Sequence, residues 1–274
     1  MIPRLYDPTT AAQLAALRKQ LPHAILLEGA PGMGLLSTAQ DIAGGALSGV
    51  IQPTDKEGSP DPNGSIKIEQ IRRLYEQTRG KSRNRQVFVI DDADRMVVQA
   101  QHALLKLLEE PAAQINFILT AHHSRTLLPT ILSRVQRVTL RPISPAQSQQ
   151  LLHSLGTIGQ TALQQILFLA EGRPARLTNL AMNSEDLAES AHIMHDARIL
   201  LQGAITEKLR VIHNYSNDRI QTLQLIEAAL TIIDYSISQT PAATQIVVAN
   251  KLARAHERIA ANGTAKLHLL VAVL

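Results

Sequence analysis

Gly29-Ala30-Pro31-Gly32-Met33-Gly34 separates an apolar run at 23–28 (HAILLE) from a helix-like stretch over about 35–47. That strand–turn–helix order decides the reading of the first half. Further apolar runs follow at 87–90 (VFVI), 117–120 (FILT) and 135–140 (VQRVTL). Between them, Ile68, Ile71, Arg72 and Tyr75 at helical spacing predict a helix over about 67–79. Residues 97–110 (VVQAQHALLKLLEE) predict another, stopped by Pro111. Short strands that are apolar on both faces and alternate with helices form a parallel sheet covered on both sides. Residues 49–64, rich in Pro, Gly, Asp and Ser, read as a long surface loop.

Beyond Leu140 only helical patterns remain. Ser144-Pro145-Ala146-Gln147 is a helix start, with Ser as N-cap, Pro at the first position and Gln at the third. Helices are expected over about 144–155, 160–171, 173–183, 184–203, 218–238, 242–262 and 264–273. The expected division is an α/β core at 1–142, a small helical lid at 143–183 and a helical bundle at 184–274.

Composition narrows the function classes. The 274 residues are 45% hydrophobic and 18% charged, which is globular composition. With no Trp, three Phe and four Tyr, the core must be aliphatic. The absence of Cys excludes disulfides, thiol nucleophiles, Cys-ligated zinc and iron–sulfur clusters. No run approaches 18 apolar residues, and residues 1–7 (MIPRLYD) lack a signal-peptide apolar region. A cytoplasmic protein without membrane contact is expected.

The glycine segment sits where a phosphate-binding loop belongs. In G-x-x-x-x-G-K-[ST], backbone N–H groups wrap the phosphates, Lys neutralises their charge and a hydroxyl holds Mg²⁺. Gly29 and Gly34 keep the frame, and Gly32 adds flexibility, but Leu35 and Leu36 stand at the Lys and Ser/Thr positions. Ser37 and Thr38 come too late. Tight Mg·ATP binding is therefore not expected. A glycine-rich turn with no nucleotide role is the alternative. Val87–Ile90 followed by Asp91-Asp92 has the form of a Walker B strand, although the second acid is Asp rather than the longer Glu. A strand-end turn, with an Asp capping the next helix, is the alternative there.

The blocks DDADRM (91–96), ALLKLLEEP (103–111), FILTA (117–121) and LPTILSR (128–134) form one ordered series. The series resembles the AAA+ core of the bacterial DNA polymerase III clamp loader, and the broken loop resembles its delta-prime type, over about residues 20–180. The resemblance implies a non-hydrolysing subunit that supports ATP-dependent loading of a sliding clamp onto primed DNA. It implies tau/gamma motor subunits and a delta subunit as partners, with primer–template DNA inside the complex and the clamp contacted indirectly, and it makes the helical residues 184–274 an oligomerising collar. Thr120 matches the sensor-1 position at the tip of its strand, and Arg176, in the Gly172–Arg176 segment, is the closest match to sensor 2. Ser133-Arg134-Val135 matches a Ser-Arg-Cys motif, whose Arg enters the ATP site of the neighbouring motor subunit. Gly29, Gly32, Gly34, Asp91, Asp92, Thr120 and Arg176 would then form a vestigial nucleotide site. The family's four-Cys zinc module is missing, so neither zinc nor any resident cofactor is expected.

Lys and Arg number 27 against 23 Asp and Glu, a net +4 that conceals local clusters. Lys67, Arg72, Arg73, Arg79, Lys81, Arg83 and Arg85 face only Glu69 and Glu76, and Arg125, Arg134, Arg137 and Arg141 form a second group. Basic patches suit phosphate backbones, though no aromatics are interleaved for base stacking. Two other functions stay open: an active tau/gamma-like ATPase motor, and a DNA-binding protein derived from a phosphate-loop fold. Arg134 has a third reading as a solvated surface Arg, and Arg176 likewise. His122-His123 reads as ordinary polar surface, because neighbours on a strand face opposite ways.

Overall fold

The computed structural model describes residues 5–61, 63–78, 84–110, 112, 114–239, 243–260 and 263–273. The chain divides into two compact units, Met1–Met182 and Asn183–Leu274.

The first unit is built on a five-stranded parallel sheet. Its strands are β1 (Ala24–Glu28), β2 (Leu47–Ile51), β3 (Gln86–Ile90), β4 (Ile115–Ala121) and β5 (Gln136–Thr139). Their order across the sheet is β2-β3-β4-β1-β5. The central strands β1, β3 and β4 are buried on both faces, as their unbroken aliphatic runs require. The N-terminal helices are α1 (Pro8–Lys19), α2 (Leu35–Ala43), α3 (Ile68–Thr78), α4 (Val98–Glu109) and the single turn α5 (Pro129–Leu132). Two apolar layers result. One contains Leu26, Phe88, Phe117 and Leu119 with Leu104 of α4; the other contains Ile25, Leu27, Val89 and Ile118 with Leu35 of α2. Three more helices close this unit: α6 (Pro145–Leu155), α7 (Gln160–Ala170) and α8 (Pro174–Met182). The Ser144 capping box forms as expected, Ser144 Oγ accepting from Gln147 N (3.2 Å) and Gln147 Oε1 from Ser144 N (3.0 Å).

The second unit is helical throughout: α9 (Ser184–Gln202), α10 (Ile205–Tyr215), α11 (Arg219–Gln239), α12 (Ala243–Ala260) and α13 (Ala265–Val273). Its core gathers Leu200, Ile212, Leu225, Ile226, Leu252, Ile259 and Leu269. No helix among the described residues is long and apolar enough to cross a membrane.

The structure corrects the element reading in four places. The helix over 35–47 stops at Ala43, because Gly44 takes a left-handed φ of 51° and a 3₁₀ turn follows. The loop assigned to 49–64 begins inside strand β2, an exposed edge strand with no apolar run to announce it. Gly49 lets β2 pass the Phe88 ring, since a Cβ there would sit 3.2 Å from the ring's Cδ1. Helices α1 and α10 were not anticipated; α1 buries only Thr10, Leu14 and Leu17 in an Ala-rich stretch. Arg79, Lys81 and Arg83 of the first basic cluster, and Pro111, lie outside the described residues.

Candidate functional site

The glycine loop follows β1 and opens α2. Gly34 is left-handed (φ 80°, ψ 41°), and its carbonyl accepts from Thr38 N at 3.0 Å and from the hydroxyls of Ser37 and Thr38, each at 2.9 Å. The two late hydroxyls thus serve the loop's own backbone. Leu35, at the Lys position, is 3% exposed and joins Met33 in the apolar layer. The start of α8 packs directly on the loop. Arg176 N donates to Gly32 O at 3.0 Å, and the Arg173 guanidinium reaches Pro31 O at 3.4 Å. Gly32 has φ +86°, and a Cβ there would lie 2.8 Å from Arg176 Cβ. The glycine is required for this approach of α8 as well as for its own backbone.

Asp91 and Asp92 follow β3 beside Thr120. Thr120 Oγ1 donates to Asp91 Oδ1 at 2.7 Å and accepts from Asp92 N at 2.9 Å, while Gln52 Nε2 donates to Asp91 Oδ2 at 3.3 Å. Both oxygens of Asp91 therefore have partners within the chain. Thr120 is not at the strand tip: it is fully buried one residue before the end of β4, tied to the acids rather than facing open space. Asp92 is left-handed (φ 49°, ψ 49°), and burial, with Asp91 alongside, pushes its carboxyl pKa up. Asp94 does not cap α4, whose N-cap is Val97; its Oδ2 accepts from His123 N at 2.9 Å.

His122 corrects the reading of the His pair as plain surface. Its Nδ1 donates to Gly29 O at 2.7 Å and its Nε2 lies 3.4 Å from Asp92 Oδ1. One imidazole thus bridges the glycine loop and the acid pair. The signal was present in the spacing: two residues beyond Thr120, His122 continues that side chain's face of the strand. Arg173, hydrogen-bonded also to Ala170 O and Leu169 O and paired with Glu171, lies in the same Gly172–Arg176 segment, where the sensor-2 resemblance pointed to Arg176 instead. On the other side of Gly29, Glu28 receives the Arg137 guanidinium and the Ser124 hydroxyl.

The structure brings together Gly29, Gly32, Gly34, Asp91, Asp92, Thr120 and the backbone of Arg176. Arg134 stands apart from this group. It follows α5, with Nη1 donating to Thr130 O (3.0 Å) and Ser133 Oγ (3.3 Å), and Nη2 lying 2.9 Å from Glu109 Oε1.

Residues 49–144 match the family described as DNA polymerase III, delta subunit. The chain is 33% identical to DNA polymerase III subunit delta-prime of Bacillus subtilis over 147 residues, 47% of this chain and 45% of that one. It is 32% identical to the protein of the same name from Pseudomonas aeruginosa over 144 residues, 51% of this chain and 43% of that one. The matched region is less than half the length of each of these relatives. In fold, the chain is similar to a DNA polymerase III gamma subunit-related protein from Thermotoga maritima. The TM-score is 0.58 at 18% identity, covering 96% of this chain and 97% of that one.

Proposed function

We propose, from the premise that this is an AAA+ fold whose α/β core is of the delta-prime clamp-loader type, that the chain is a non-hydrolysing clamp loader subunit. In this reading it binds no Mg·ATP of its own and supplies Arg134 to the ATP site of a neighbouring tau/gamma-type motor subunit. The observation that carries it is Leu35: an isobutyl group buried at 3% exposure stands where a phosphate-loop cation is needed. Other features support it. Gly32 O is engaged by Arg176 of α8 and Pro31 O by Arg173 just before it, both oxygens of Asp91 accept internal hydrogen bonds, and His122 spans the gap that loop and acids would share with a metal-bound phosphate. An always-charged, planar guanidinium in a partly exposed position suits a finger acting in trans.

Assembly falls to the second unit. Ile205 with Leu209 and Leu267 with Val271, each pair at i,i+4 spacing, leave apolar side chains exposed on α10 and α13. Such a surface fits a helical collar that packs against other subunits, among them a delta-type subunit, in a cytoplasmic complex around primed DNA. The experiment has two arms. Equilibrium binding of Mg·ATP to the purified chain should give no saturation at millimolar nucleotide. Reconstitution with motor and delta subunits should make DNA-stimulated ATP turnover and clamp loading depend on the chain. Micromolar affinity with turnover by the chain alone would instead favour the motor reading.

A further inference from the structure

We infer that Glu109, the last residue of α4, is the positioning residue for Arg134. The inference rests on the reading of Arg134 as a finger.

A carboxylate at a helix C-terminus faces the negative end of the macrodipole and the unpaired last carbonyls. Glu109 therefore sits where its own helix disfavours it, and α4 gains nothing locally from its charge. Among the described residues its ion pair is elsewhere: Oε1 lies 2.9 Å from Arg134 Nη2. Arg134 is also held from its own side, Nη1 donating to Thr130 O at 3.0 Å and to Ser133 Oγ at 3.3 Å. Nη1 thereby has two hydrogen-bond acceptors and Nη2 lies against a carboxylate, while the Nε–H makes no hydrogen bond among the described residues and is left for a phosphate. The three anchors come from two elements, so the plane of the fork is set by their packing.

That packing is itself fixed. Gln101, 3% exposed near the start of α4, accepts from Leu128 N at 2.8 Å and donates to Thr126 O at 3.3 Å. Glu109 is eight residues further on, ~12 Å along the helix. Helix α4 thus holds both ends of the 126–134 segment: Gln101 fixes where it begins and Glu109 fixes where the guanidinium points. Side chains of Arg134 and Glu109 are 37% and 48% exposed, so this pair adds little to stability and acts on orientation.

The test compares complexes reconstituted with wild-type chain, Arg134→Ala, Glu109→Ala, Glu109→Gln and Glu110→Ala, the last a charge control one residue along. Assembly is followed by gel filtration, and kcat and KM for ATP are measured with primed DNA present. Glu109→Ala should lower kcat at the neighbouring motor's site by about 10- to 100-fold, the scale of a small misplacement of a reacting group, with KM and complex yield unchanged. Glu109→Gln keeps an acceptor oxygen at the same reach and should restore most of kcat; Glu110→Ala should match wild type. Since Glu109 opposes its helix dipole, Glu109→Ala should melt no earlier than wild type. Wild-type or faster turnover by Glu109→Ala, with Arg134→Ala impaired, would overturn the inference and leave the finger intact. Wild-type turnover by Arg134→Ala would remove the finger reading, and this inference with it.

Discussion

Glu28 shows how a single charge beside the loop is managed. The Arg137 guanidinium holds its carboxyl below the ordinary carboxylate range, with burial opposing and the Ser124 hydroxyl assisting. A depressed carboxylate contributes stability above its unfolded pKa, and loses it as pH falls through the lower folded value. Glu28→Gln should therefore melt below wild type at pH 7. The gap should close once the medium is acid enough, well below about pH 4, to protonate Glu28 in both states. Equal melting temperatures at pH 7 would contradict the pairing. At this scale the sequence was only partly legible. Leu35 and Leu36 could be seen at the wrong positions, because a phosphate loop demands particular residues at fixed offsets. The Glu28–Arg137 pair joins residues more than a hundred apart, and His122's partners, Gly29 and Asp92, lie just past β1 and β3, so the spacing that sets His122 on Thr120's face could not name what it touches.

The glycine loop and α8 act as one element. Three glycines in a nucleotide-like frame suggest a surface shaped for phosphate, yet Gly32 here lies against Arg176 Cβ and its carbonyl accepts the Arg176 amide. Gly32→Ala places a side chain at φ +86°, which costs about 1–2 kcal/mol for the left-handed backbone alone, and pushes against α8 besides. Urea unfolding should show at least that loss; an alanine variant as stable as wild type would mean that α8 does not pack on the loop. The elements themselves were legible in proportion to their burial. Strands β1, β3 and β4 are aliphatic because both faces are covered, and Val98–Glu109 shows a clear helical period. Strand β2 escaped because an edge strand carries little apolar signal. Helix α1 escaped because its N-cap, Asp7, accepting from Thr9 N and Thr10 N, precedes a weakly amphipathic run.

At the level of the whole molecule, an α/β unit and a helical unit carry different parts of the proposed role. The broad order of a parallel sheet followed by helices alone was readable from where the apolar runs stop, near Leu140. The division of labour came from the family resemblance rather than from pattern, and which side chains would serve it did not, because exposed apolar residues such as Leu267 and Val271 look like core until burial is known. The central claim is that this chain contributes chemistry to a site other than its own. The most direct measurement is the DNA-stimulated ATP turnover of a reconstituted clamp loader carrying Arg134→Ala, beside a demonstration that the complex still assembles. The account predicts an intact complex in which turnover at the neighbouring motor's site falls by about 10³-fold or more, the scale of a lost trans arginine. An intact complex that hydrolyses ATP at the wild-type rate would contradict it.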